Sequence, residues 1–210
     1  MNRKKHAINF TPLSGSMIVG EYSHVAAFSN GRLASVGTPM EHSEIVRFWG
    51  ADNLRRWPEH CLRDVAIPAS SKSFLIEVGL PAFKDFMYEF NPHVGDLPRL
   101  AERPEYRHIG FLYELCPVCL SELAHGCVLF IDGDRMSRYL NATVEQFAES
   151  LIIYLRHRRS ARLGSTTECA KLVEQFRGDM LKVDPTVFSD PENFWAVIVE
   201  EMEYELSEDD

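Results

Sequence analysis

The sequence predicts an α+β fold, an antiparallel or mixed β-sheet meander backed by helices in a single domain. Three observations carry this. Short runs rich in aromatic and β-branched residues, separated by turn residues, fill positions 86 to 142. A helix-capping signature, Thr143-Val144-Glu145-Gln146, follows the last run directly. Two further helical patterns then occupy most of the remaining chain, and strands followed by helices make an α+β domain.

Taken in order, residues 8 to 40 mix "MIVGEY", "HVAAF" and "RLASVG" with the Ser29-Asn30-Gly31 turn, which predicts a small hairpin or meander. "HSEIVRFW" sets Ile45, Phe48 and Trp49 at helical spacing. "IPASSKSFLIEVGLP" predicts a short helix closed by Gly79, with Pro81 as a stop just beyond.

From residue 86, "FMYEF", "RHIGFLYEL", "PVCLSE", "GCVLFID" and "MSRYLNA" are the strands of the meander, divided by Asn-Pro, Gly-Asp, Ala-His-Gly and Asp-Gly-Asp turns. In the capping box the Thr143 hydroxyl and the Gln146 side chain satisfy orphan amides at a helix start. Val144, Phe147, Ala148, Leu151 and Leu155 then form one apolar stripe, as a helix laid across a sheet requires. "TTECAKLVEQFRGDML" is the next helix. Asp190-Pro191 supplies an N-cap and first-turn proline for a last one, whose stripe is Trp195, Ile198, Val199, Met202 and Leu206. The expected organisation is a β-rich extension over residues 1–40 packed on the core, an α+β domain over 41–206, and an acidic tail over 207–210.

Charge narrows the function. Of the 31 acids, seven lie in the last eleven residues, which hold no base; residues 1 to 199 carry 24 acids against 22 bases. Basic residues gather at Arg3-Lys4-Lys5 and at Arg156, Arg158, Arg159 and Arg162, so the chain is a charge dipole without one broad positive face, and direct nucleic-acid binding is not expected. No segment approaches the ~18 apolar residues of a membrane span, and Thr, Pro, Ser and Gly interrupt the start too often for a signal peptide. Five cysteines do not make a secreted disulfide framework, so the expected location is cytoplasmic.

Catalytic chemistry finds little support. Cys116-Pro117-Val118-Cys119 has no second CxxC, and only His125 and Cys127 stand near enough to complete a zinc site. A redox CxxC sits at a helix start that lowers its thiol pKa, whereas this one lies between strand-like runs, so hairpin packing is the preferred reading. Asp132-Gly133-Asp134 lacks the later oxygen ligands and the closing Glu of a calcium loop. No nucleophile elbow, HExxH or phosphate-cradling loop occurs. No cofactor or metal is expected.

The ordered runs "SFLIEVGLP", "PVCLSELAHGCVLFID", "YLNATVEQFAESLIIYL" and "DPENFWAVIVEEMEYEL" resemble the SUKH superfamily, in particular the group-four immunity proteins of bacterial polymorphic toxin systems. The resemblance spans about residues 45 to 206. It rests on Gly79-Leu80-Pro81, on Gly126 leading to Val128 and Asp132, on the Asn141 to Phe147 junction, and on the Trp195 to Glu201 helix. Members commonly show paired serines after that Asn, where this chain has Ala142 and Thr143. The resemblance implies a non-enzymatic module that binds and neutralises a cognate toxin and does not name that toxin; the acidic balance makes a nuclease or nucleic-acid deaminase the expected class, and a monomer or weak homodimer is the expected state. Helices on one face leave the other face and its loops for the partner, which gives Tyr113, Glu114, Glu122, Asp132, Asp134 and Tyr139 as expected contacts. Two alternatives are a thiol- or zinc-dependent enzyme using the Cys116/Cys119 cluster and a regulatory scaffold of the same superfamily.

Overall fold

A computed structural model describes residues 39–84, 89–93, 95–112, 116–132, 136–161 and 166–207 of the 210-residue chain. The hairpin expected in residues 8 to 40 falls almost wholly outside them, as does most of the acidic tail. The described chain has the α+β architecture that the element order predicts.

Three short helices come first. Helix α1 (His42–Trp49) buries Ile45 and lays Val46, Phe48 and Trp49 half-buried on the core. After strand β1 (Leu54–Arg55) and helix α2 (Glu59–Leu62), helix α3 (Ala69–Glu77) sinks Phe74 and Leu75 completely. Gly79 ends α3 as expected, at φ 83°, with its amide on the Phe74 carbonyl. A Cβ there would stand 2.2 Å from the Arg55 carbonyl oxygen, so only glycine lets strand β2 (Leu80–Pro81) pair with β1.

The main sheet contains β3 (Phe83–Lys84), β4 (Glu89–Pro92), β5 (Arg99–Leu100), β6 (Arg103–Leu112), β7 (Cys116–Ser121), β8 (Val128–Ile131) and β9 (Ser137–Asn141). Its order is β3-β4-β6-β7-β8-β9, antiparallel throughout, with β5 paired to the first half of β6. The meander from β6 to β9 is the predicted one. Strands β3 and β5, two residues each, were not expected. A register shift between His108 and Gly110 puts both Ile109 and Leu112 into the core although they are three apart.

Helices α4 (Val144–Ala161), α5 (Thr166–Val183) and α6 (Phe194–Ser207) form the backing layer. The capping box is present in both directions: Gln146 N donates to Thr143 Oγ1 at 3.2 Å, and Thr143 N donates to Gln146 Oε1 at 3.1 Å. The whole α4 stripe is buried, and Phe147 meets Phe90 of the sheet edge-on at 5.4 Å. Trp195, Ile198 and Val199 of α6 are buried likewise, and Phe194 packs on Phe130. One boundary differs from the expectation. Asp190 Oδ1 accepts the Glu192 amide in a separate turn, and α6 starts only after Asn193, whose carbonyl takes the Ala196 and Val197 amides.

The last strand, β9, pairs with β8 on one side. Just past its end, Asp184 Oδ2 accepts the Ala142 amide at 2.9 Å, and on the strand itself Arg138 Nη1 reaches both the carbonyl and the carboxylate of Glu192.

Candidate functional site

The CPVC run decides first what the site is not. It lies on the regular strand β7, where side chains alternate in direction, so residues three apart face opposite ways. Cys116 accordingly packs on the main core, while Cys119 belongs to a second cluster with Tyr106 and Ile131 on the other face. The two thiols cannot share a metal ion or a disulfide there. Burial pushes Cys119 up to about 12, and burial together with the Asp184 charge does the same to Cys127, so neither is a thiolate at neutral pH. Among the described residues no group of three or more His, Cys, Asp or Glu side chains is arranged to hold a metal.

The expected contact residues separate. Strand ends Leu112 and Cys116, which pair, and Ile131 and Ser137, which pair, lie at one end of the meander, and Asp132 continues from them. Tyr113, Glu114 and Asp134 fall outside the described residues. Asp132 takes the Arg138 guanidinium at 2.9 Å and the Met136 amide at 3.1 Å, and Met136 stands exposed beside it.

Glu122 lies at the opposite end of the sheet and is turned inward. Its Oε1 accepts the Ala66 amide and Arg107 Nε, each at 3.0 Å, and its Oε2 meets Arg99 at 2.6 Å. Burial works to raise its pKa, but the Ala66 amide and the two guanidiniums outweigh burial and hold the carboxyl below its ordinary range. This carboxylate braces the β7–β8 turn against the α2–α3 connection. Glu122, expected as a partner contact, stands with its carboxylate engaged within the fold as a brace.

Tyr139 is also engaged within the fold. Its hydroxyl lies 2.8 Å from both Asp184 Oδ2 and Thr186 Oγ1, and burial, reinforced by the Asp184 charge, raises its pKa. It is one member of a buried polar network around Asp184, which also receives the Ala142 amide, Asn141 Nδ2, and the amide and hydroxyl of Thr186. Asn141 in turn donates to Ser150 and accepts from Trp195 Nε1. Sequence reasoning placed Asn141 at a junction but missed Asp184, because the partners that make it a hub, Tyr139, Asn141 and Ala142, are more than 40 residues away.

Between α4, α6 and the sheet, Phe83, Leu112, Phe147, Leu151, Tyr154, Phe194, Trp195 and Ile198 line a hollow of about 10 Å³. A site for a small molecule needs roughly 300 Å³ or more, so this hollow is a packing gap. What the described surface offers is display: a braced sheet with the β7–β8 turn at one end and Asp132 and exposed Met136 at the other.

Comparison with protein-family models matched the SUKH-4 immunity protein family over residues 40–201. The match covers every helix and strand described above except the last turns of α6. Comparison with curated proteins and with solved structures returned no match.

Proposed function

The chain belongs to the SUKH-4 immunity protein family, and on that premise we propose that it binds a cognate protein toxin and neutralises it by covering its active surface, without catalysis of its own. The family match over residues 40–201 carries the proposal. The disposition of the thiols supports it, because Cys116 and Cys119 face opposite sides of β7 and act on no common centre.

The proposed contact set is the one the sequence suggested, now divided by position. Asp132 stands at one end of the meander, and Tyr113, Glu114 and Asp134 are close to strand ends there in the sequence. Glu122 acts through the turn it braces at the other end, and Tyr139 acts by fixing β9. A strand of six residues such as β7 spans about 20 Å, well within the width of a standard interface of roughly 800 Å² per partner, so one toxin can contact both ends. The acidic balance suits a basic partner such as a nuclease or nucleic-acid deaminase, since opposite charge speeds encounter and fixes register.

The experiment is titration of the toxin domain encoded beside this chain. Its activity should fall linearly to zero at one equivalent, with the complex intact on size exclusion. Turnover of the toxin's substrate by this chain, or toxin activity unaffected by excess chain, overturns the reading.

A further inference from the structure

We propose that the β7–β8 turn, residues 121–126, is the apolar anchor of the toxin contact, with Leu123 at its apex entering an apolar pocket of the toxin. The inference rests on the function proposed above and specifies which part of the surface does the binding.

Leu123 is 72% exposed, more than Tyr204, Met136 or Leu181, the other large apolar side chains that stand exposed among the described residues. A single exposed apolar residue is ordinary. What sets this one apart is its mounting. Reversing turns favour Gly, Asn, Asp and Ser at such positions, and here the apex carries Leu between Glu122 and Ala124, whose amides are both bonded.

Ser121 Oγ accepts the Ala124 amide and its carbonyl accepts the Gly126 amide, while the Cys127 amide closes on the Ala124 carbonyl. The Glu122 amide bonds the Glu105 carbonyl of the neighbouring strand, and its carboxylate holds Ala66, Arg107 and Arg99. Arg107 extends the brace to the carbonyls of Leu97 and Asp64. His125 is in the left-handed region at φ 51°, a conformation that costs a non-glycine residue and persists only where its surroundings impose it. Gly126 follows at φ 82° and lies so close to Ile67 and Pro68 that a Cβ would approach Pro68 Cδ to 2.9 Å.

The consequence is energetic. A side chain on a mobile loop gives up conformational freedom when it docks, but Leu123 sits on a backbone already fixed, so most of the free energy of its burial remains available for binding. Exposed Ala66, whose amide bonds Glu122, and half-buried Pro68, which lies against Gly126, add apolar surface around the turn. Interfaces concentrate their affinity in a few well-packed residues surrounded by near-neutral contacts that exclude water, and a Leu takes that place only where its mounting is as firm as this one.

The test uses the full chain and the toxin domain encoded beside it, with affinity by calorimetry and melting temperature recorded for every variant. Leu123→Asp should weaken binding at least 100-fold and Leu123→Ala about 10-fold, both with melting temperatures near that of the unaltered chain. Leu181→Asp, a control on α5, should bind as the unaltered chain does. In the unaltered chain, the Leu123 methyl resonances should shift on addition of toxin and those of Leu181 should not, a readout that requires no substitution. Binding of Leu123→Asp within twofold of the unaltered chain, or unmoved Leu123 methyls in a formed complex, overturns the anchor while leaving the immunity reading intact. Failure of the unaltered chain to bind the toxin at all overturns both.

Discussion

The indole Nε1 of Trp195 donates to Oδ1 of Asn141 at 3.1 Å, joining the closing helix to the end of the last strand through a bond between two fully buried side chains. Asn141 uses its amide hydrogens on Ser150 and Asp184, so the same residue also ties α4 and the α5–α6 connection to β9. Asn141→Ala should therefore lower stability by about 2 to 3 kcal/mol, because it orphans a buried indole N–H and removes a donor from the Asp184 carboxylate. Urea unfolding of Asn141→Ala and Trp195→Phe, singly and together, measures the coupling. Additive losses would show that the bond contributes nothing of its own.

Packing of α4 and α6 should outweigh the capping of α4. Phe147→Ala and Trp195→Ala are expected to cost about 3 to 5 kcal/mol each, since both side chains are buried against the sheet. Thr143→Ala removes the hydroxyl that takes the Gln146 amide and should cost ~1 kcal/mol. The exposed control Glu200→Ala should leave the urea midpoint in place.

Acid should loosen the strands through His108. Burial lowers its pKa, the Gly110 carbonyl at 2.7 Å works the other way, and His93, stacked on it at 5.4 Å, lowers it again. The folded protein thus binds this proton less readily than the unfolded chain. Its contribution to stability is full above the ordinary imidazole value of about 6.5 and is lost as pH falls from there through the depressed folded value. Melting temperatures measured from pH 7.5 to 4.5 should fall less steeply for His108→Gln than for the unaltered chain. Parallel curves would place the sensitivity elsewhere.

Thiol reactivity should follow burial. At pH 8, Cys119 and Cys127, with pKa values pushed up to about 12, should resist alkylation in the folded protein and react once urea unfolds it. Mass spectrometry of the labelled peptides separates them from Cys61, Cys116 and Cys169, which are less buried. Rapid labelling of either in the folded state would contradict the packing of β7 and β8.

Reversing the charge of Glu122 should unfold more than it unbinds. Glu122→Lys sets a third cation beside Arg99 and Arg107 and should lower the melting temperature by at least 5 °C, whereas Asp132→Lys, at a half-exposed position, should change it less. A thermal scan of both variants decides it.

What was legible in the sequence was local. The Thr143 box, the Gly79 stop and the aromatic and β-branched runs of β6 to β9 are each written within a few residues, and each formed where expected. What escaped depends on separation. Nothing near Glu122 announces Ala66 or Arg107, and nothing near Asp184 announces Tyr139, so an acid on a turn looks free until the fold delivers its donors. Leu123 was passed over for a related reason, since a leucine in a turn signals a site only when its backing is known to be rigid. The Asp190-Pro191 start for α6 failed because the aspartate caps a turn of its own first.

Strand β9 bears on how the molecule behaves in a crowd. The terminal strand of a sheet offers a ladder of amides and carbonyls that a neighbouring polypeptide can copy, which is how fibres and swapped oligomers begin. Here the Ala142 amide, just past the strand, is already spent on the Asp184 carboxylate, and the Arg138 side chain is drawn across to Glu192. Among the described strands β9 is the terminal one, and a foreign strand that reached its Ala142 end would meet a backbone amide already held by a buried carboxylate, which makes that end a poor template for growth.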